Sequence, residues 1–580
     1  MTDITRKVRD SSPRTIRSVV LVNRYFRSSV QAIRNRQRTL LLTPIFYDEG
    51  LDHPQYAWTH DAMVLTNLRH LTINEGRKMR RSDLQPYNTW MQNLNPVCDL
   101  VRRVNNLKSL TWNIGPLPKA VLDILTKKHP NAVLKIFNYR RKNPNVNHLT
   151  ADETALAEFK RLTHFRAETR HMAGFIDVDG IDYCLDVFKH IIARSQNLQY
   201  ASINQSHCYD RRFGLITSTA DGAAVSTVRQ RCESLKTLTL DGRHFTLSKN
   251  TLDDWDRFLN IANLETLKFV RGSPQLDFFQ NAATMLPGIK HVSLNFREIV
   301  NEESDNDRNA LLAAANQYLL TCPPLLSISI WNALPHVDVW QMINHHSTTI
   351  QALQIHQRES EYGAMRDILP LDFVSHFRSA CPKLRDLTLD INRCSVTAKE
   401  DNEQESVSDR PRTGWAIPGF ILQQDTSTLS TLDELALFGS RLSRLQLYVD
   451  SRNLVTHFSN YQDRWDYITL VEGFELPNHA GDDAFETLEK ARIANPDKPI
   501  HPELLMKRYA VDIWRRLYGN QRFGERALDV KFGEWEAKHM TDRYAYGVRR
   551  FFKIRPHERD DRIGVCSVSM KCGGVSVIGE

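Results

Sequence analysis

Long apolar runs, close cysteine pairs and phosphate-cradling glycine loops are all missing from this chain. No stretch approaches the ~18 consecutive apolar residues that a membrane-spanning helix needs; the most apolar blocks, "VVLV" and "ALLAAANQYLL", are too short or too mixed. An apolar segment of the kind that marks a secretory leader is also absent near Met1. No membrane partner is expected. Nine cysteines in 580 residues, without close pairing, give no disulfide framework, so a reducing compartment, cytoplasm or nucleus, is the expectation.

Motifs that carry chemistry are equally scarce. No G-x-x-x-x-G-K-[ST], G-x-G-x-x-G or H-E-x-x-H occurs. "DVDGID" (177–182) lacks the further ligands, above all the glutamate at position twelve, that complete a calcium loop. His345 and His346 are adjacent, and neighbours on a helix point in different directions, so a shared metal is not expected. Cys566 and Cys572 stand alone without a second pair for zinc. The expectation is no metal, no cofactor, no catalytic residue and no enzyme.

Charge of either sign is nearly balanced outside one segment. Residues 1–40 hold ten Lys/Arg, nine of them Arg, against Asp3 and Asp10, which accounts for the whole net charge of +8. The other 540 residues balance to zero, whereas a nucleic-acid-binding body carries a basic stripe of its own. No nucleic acid is expected as a partner.

What is present is a repeat. An apolar residue is followed by another three on and a third two after that. The pattern occurs in "LRHLTI" (68–73), "LKSLTW" (107–112), "LQYASI" (198–203), "LKTLTL" (235–240), "LETLKF" (264–269), "IKHVSL" (289–294), "LLSISI" (325–330), "IQALQI" (350–355), "LRDLTL" (384–389) and "LDELAL" (432–437). "LKIFNY" (134–139) and "LTHFRA" (162–167) are weaker copies. The mean period is roughly 33 residues, within the range of stacked supersecondary units.

The last two apolar positions of each motif face one side of a short strand, and the leading residue points inward as the chain enters it. Between motifs lie segments of helical spacing, such as 251–262, 276–286, 308–320 and 371–380. Prolines in "TCPPL", "SACPKL", "MLPGI" and "KHPNAVL" are placed to end those helices. Cys232, Cys322 and Cys381 each precede a strand-leading leucine by three residues, which predicts core packing for all three.

This spacing resembles the irregular, long-period leucine-rich repeats of F-box proteins over about 60–450. The resemblance implies an α/β, irregular leucine-rich-repeat-like solenoid, or horseshoe. Gly76, Gly115 and Gly272 stand near the place where an Asn or Cys is usual, so the array is expected to be uneven. Polar acidic insertions are expected near 298–309 and 393–414. Beyond 450 the pattern gives way to helices at 483–495 and 502–519 and strand-rich stretches at 526–537 and 544–555, a mixed α+β cap over 451–580. The tail "VCSVSMKCGGVSVIGE" is given no structural assignment.

The 14–34 segment reads as an amphipathic helix, with Ile16, Val19, Val20, Phe26, Val30 and Ile33 on one face. Pro13 and the serines before it suit its start. Such a helix suits an organellar presequence, a membrane-surface anchor or a plain terminal helix as well as a docking module. Its run Leu21, Val22, Asn23, Arg24, Tyr25, Phe26, Arg27 resembles the second half of an F-box, so that 1–45 is a basic, partly F-box-like segment truncated in its N-terminal half, ahead of repeats over 46–450. The resemblance implies docking of a Skp-family adaptor and a cullin through Ile16, Val20, Leu21, Val22, Tyr25 and Phe26, and an unknown protein substrate recruited by the repeats. The expected function is the substrate-recruiting subunit of an SCF-type ubiquitin ligase; the alternative is a leucine-rich-repeat scaffold with no ligase role.

Overall fold

The computed structural model describes residues 35–42, 51–75, 94–141, 143, 146–169, 183–205, 230–242, 245–270, 272–296, 305–332, 334, 337–357, 367–391, 426–449, 455–457, 479–480, 490, 502–518, 527–532, 545–547, 550–556 and 563–569. The chain divides into two units, Met1–Ile289 and Lys290–Glu580, each an α/β arrangement on a mostly parallel sheet.

In the first unit the strands are β1 (Gln37–Leu42), β2 (His70–Glu75), β3 (Ser109–Asn113), β4 (Val133–Tyr139), β5 (Leu162–Thr169), β6 (Tyr200–Gln205), β7 (Thr237–Asp241), a short β8 (Thr246–Leu247), β9 (Thr266–Phe269) and a short β10 (Ser273–Pro274). From β1 to β7 each strand pairs in parallel with the next, and β7 with β9; β8 and β10 pair with each other. Between strands lie α1 (Ala62–Asn67), α2 (Asn95–Arg103), α3 (Lys119–Lys128), α4 (Ala151–Ala157), α5 (Cys184–Arg194), α6 (Lys249–Asp256) and α7 (Leu276–Met285).

The second unit has β11 (His291–Asn295), β12 (Ser327–Trp331), β13 (Ala352–His356), β14 (Asp386–Ile391), β15 (Arg444–Val449), β16 (Val455–His457), β17 (His479–Ala480), β18 (Ala527–Phe532), β19 (Ala545–Gly547), β20 (Arg550–Pro556) and β21 (Ile563–Ser569). Strands β11 to β15 run parallel in chain order and β18 joins β15 in parallel. Antiparallel pairing then carries the sheet through β20 and β21 to β17, while β16 pairs with β19. Its helices are α8 (Asp305–Thr321), α9 (Val339–His346), α10 (Leu371–Ala380), α11 (Thr426–Ala436) and α12 (Pro502–Tyr518).

The repeat motif explains this layout. Leading residues Leu198, Leu235, Leu325, Ile350 and Leu384 have no solvent exposure, and the two inward positions of each following strand are buried as well. Register aligns them across strands, Leu238 with Leu267 and Ile328 with Leu353, into continuous apolar rows. Each such leucine contributes about 1.5–3 kcal/mol on burial. Helices start on side-chain caps, Thr150 with Glu153 in a reciprocal capping box at α4, Ser248 at α6 and Asp338 at α9. They stop where the prolines stand: α3, α7, α8 and α10 end at Lys128, Met285, Thr321 and Ala380, each two residues before a proline, Pro130, Pro287, Pro323 and Pro382. Successive helices pack side by side, as in α2–α3–α4–α5 and α8–α9–α10–α11–α12.

Three sequence readings need correction. "LDELAL" is not a strand but the end of α11, because its first two leucines are also spaced i, i+3 and fit a helix face: Leu432 and Leu435 are buried while Leu437 is 61% exposed. The strand belongs to the next copy, "LSRLQL", with Leu442, Leu445 and Leu447 buried. "LKIFNY" is out of register: the inward residues of β4 are Leu134 and Ile136, and Asn138 at φ 68° breaks the alternation before buried Tyr139. The acidic stretch 298–309 ends inside α8, where acids at a helix N-terminus meet the positive end of its dipole.

Part of the unassigned tail is β21, antiparallel to β20. Helix α12 forms as read, with Tyr509, Ala510, Ile513, Trp514 and Leu517 buried along one stripe, and Arg516 clasps Asp433 of α11 at 2.8 and 2.7 Å. The 393–414 insertion, "DVDGID" and all of 483–495 except Lys490 lie outside the described residues.

Candidate functional site

Side chains alternate along a strand, so the positions between and just after the inward leucines form a second sheet face, directed away from the apolar rows. In the first unit this open face carries His70, Thr72 and Asn74 on β2, Ser109, Thr111 and Asn113 on β3, and Lys135 and Phe137 on β4. Strand β5 adds His164, Arg166 and Glu168, β6 adds Tyr200 and Asn204, and β9 adds Lys268, while Ser202 on β6 and Thr239 on β7, at the same face, are buried. Most are half-buried.

Register puts Lys135 beside His164 and His164 beside Tyr200. The His164 and Tyr200 rings stack with centroids 5.6 Å apart, and Phe137 lies 6.2 Å from His164 on the other side. Burial, and then the Lys135 ammonium, lower the His164 pKa, which keeps the ring neutral near pH 7. Arg140 takes Glu168 at 2.6 Å.

The corresponding face of the second unit is organised differently, with His356, Asp390, Tyr448 and Asp529 buried. Trp331 is in register with Asn295 on one side and His356 on the other, and Tyr448 with Asp390 and Lys531. His356 Nδ1 is 2.6 Å from Asp390 Oδ1, and the Gln357 N–H donates to Asp390 Oδ2 at 2.5 Å. Tyr448 stacks on the imidazole at 3.9 Å and Trp331 meets it edge-on at 4.7 Å. Lys531 Nζ donates to Tyr448 Oη at 2.8 Å, and Arg444 pairs with buried Asp529 at 3.0 Å. A buried His–Asp pair is the arrangement of a general base and its orienting acid. Here His356 is 1% exposed under two rings, so the geometry braces the face instead of presenting a base. Asp390→Ala removes the acceptor of both hydrogen bonds and is expected to cost about 1–3 kcal/mol in urea unfolding; an unchanged midpoint would remove the bracing role.

No protein-family model matches the chain, and no curated protein matches it. Among the described residues no group of three or more His, Cys, Asp or Glu is placed to hold a metal, and no helix is long and apolar enough to cross a membrane. The sequence-predicted docking residues Ile16, Val20, Leu21, Val22, Tyr25 and Phe26 lie outside the described residues. Cys232, Cys322 and Cys381 are core residues as expected, at most 1% exposed, and burial raises their thiols, to about 12 for Cys322 and about 11 for Cys381. Such thiols are poor nucleophiles at neutral pH. His345 and His346 serve the end of α8: their Nε2 atoms meet the Cys322 and Leu319 carbonyls at 3.0 and 2.8 Å.

Sequence reasoning missed both face clusters. For the second unit the signal is the position that follows the last apolar residue of the motif, which holds Asn295, Trp331, His356 and Asp390 in successive copies; Lys135, His164 and Tyr200 of the first unit stand earlier in theirs.

Proposed function

We propose that the chain is a non-catalytic recognition protein, an irregular leucine-rich-repeat-like solenoid that recruits a protein substrate to an SCF-type ubiquitin ligase. The observation that carries this reading is the open sheet face of the first unit, where polar, cationic and aromatic side chains stand half-exposed on consecutive parallel strands. Stacked repeats offer extended faces of this kind as binding surfaces. The ligase half of the proposal is supported by the resemblance of Leu21–Arg27 to an F-box and its position ahead of the repeats. The Skp-family adaptor and cullin are the proposed partners there.

The test is affinity purification of the chain tagged at its C-terminus, read by mass spectrometry. Adaptor and cullin are expected with the wild type and at background with Leu21→Ala/Phe26→Ala, each side chain being worth about 1.5–3 kcal/mol when buried at an interface. Adaptor capture unchanged by the double substitution would overturn the assignment. A scaffold outside ubiquitination rests on the same open face and needs none of residues 1–34, which precede β1. It expects no adaptor, and an intact fold after their deletion.

A further inference from the structure

The two faces differ in how their charges are matched. On the second unit's face the ionic groups are internally satisfied: Arg444 holds Asp529, His356 holds Asp390, Ser443 donates to Asp386 and Lys531 lies on Tyr448. The first unit's face is different. Among the described residues Glu168 is already taken by Arg140, while Lys135, Arg166 and Lys268 have neither an ion pair nor a side-chain hydrogen bond. Lys135 and Arg166 are half-buried in the middle of the sheet, on neighbouring strands, with Phe137, His164 and Tyr200 packed beside them. A cation held partly out of water without an anion gains more from a partner carboxylate than a fully solvated one does. Hydroxyl and amide groups of Thr72, Thr111, Asn113 and Thr237 border the patch and supply neutral hydrogen bonds.

We propose that this face, centred on Lys135, Arg166, Phe137 and Tyr200, binds an extended acidic segment of a partner protein, its carboxylates on the two cations and an apolar side chain against the aromatic rings. The inference rests on the recognition reading above and names the chemistry of what is recognised. A peptide fits better than a nucleic acid. The His164 and Tyr200 rings each give one face to the other, and base binding uses open ring faces, whereas an apolar side chain packs against a ring from any side. Neutral His164 adds no charge, so the attraction is set by Lys135 and Arg166.

The experiment uses the full chain and a fluorescein-labelled short peptide of alternating glutamate and valine, with a lysine–valine peptide and a single-stranded oligothymidylate as controls. Anisotropy is expected to report binding of the acidic peptide alone, weakening as salt rises. Lys135→Glu/Arg166→Glu is expected to lower that affinity by about tenfold or more. Lys135→Gln/Arg166→Gln, which adds no repulsion, serves if the reversal lowers the melting temperature. Equal affinity in wild type and variant, no binding to the wild type, or oligothymidylate binding in place of the peptide would each overturn the proposal. Partner proteins identified with the wild type are then retested with the double variant. If they bind it undiminished, recognition stands and the acidic-segment inference falls; if the wild type captures none, the recognition reading falls by itself.

Discussion

Glu153→Ala is expected to destabilise the first unit by about 3–5 kcal/mol, because it strips a buried charge of its partner. Arg141 follows β4 with its side chain fully enclosed, and its guanidinium holds Glu153 at 2.7 and 3.2 Å. Its remaining N–H groups donate to the carbonyls of Val146 at 2.7 Å and His148 at 3.2 Å, which ties the β4–α4 connection around it. Burial opposes the Arg141 charge, but the hydrogen bonds and charge of Glu153 outweigh it, so its pKa is raised. Glu153 also accepts the Thr150 N–H at 2.8 Å, so one carboxylate serves the ion pair and the helix cap together. Hydrogen exchange of the α4 and β5 amides is the measurement, since it reports this unit without assuming that the whole chain unfolds in one step. Arg141→Met/Glu153→Leu separates the mechanism from mere disruption. With both charges gone no uncompensated ion remains, and protection is expected to recover well above that of Glu153→Ala. A double variant as unprotected as the single one would mean that the carbonyl contacts, not the ion pair, hold the connection.

The core is legible in the sequence and the faces are not, for a physical reason. Inward positions are constrained by burial to a few apolar types, so Leu-x-x-Leu-x-Leu marks β2, β3, β6, β7, β9, β11, β12, β13 and β14 in their correct register. The same economy produces the error at 432–437, where Leu432 and Leu435 satisfy strand and helix spacing equally and only the 61% exposure of Leu437 separates them. "AVLKIFNY" misleads because Asn138 turns left-handed, which lets Tyr139 point inward out of phase. Residues on these faces meet no comparable restriction. Lys135, His164 and Tyr200 lie far apart in the chain and meet only through strand register, as do His356, Asp390 and Tyr448. Charge matching was equally hidden, since whether a lysine has a partner depends on which strand lies beside it.

Acidification is expected to weaken the second unit before its carboxylates titrate, through His346. The ring has no solvent exposure, accepts the Leu325 N–H on Nδ1 at 3.0 Å and donates from Nε2 to the Leu319 carbonyl at 2.8 Å. That geometry requires the neutral ring, because a proton on Nδ1 would face the Leu325 N–H. Burial lowers the pKa from its ordinary 6.5 to about 4; the Leu319 carbonyl resists the change and His345 adds to it. A histidine depressed in the folded state stabilises above the unfolded-state value and loses that contribution as pH falls toward the folded-state value. The loss therefore begins near pH 6.5 and is complete near pH 4, and at about 1.4 kcal/mol per pH unit it reaches on the order of 3 kcal/mol. Urea unfolding between pH 7 and 5 isolates it from most carboxylate titration. His346→Gln keeps an amide N–H for Leu319 and an oxygen for Leu325 but cannot titrate, so its stability is expected to fall less steeply across that range. Equal slopes for wild type and His346→Gln would remove His346 as the source of the second unit's acid sensitivity.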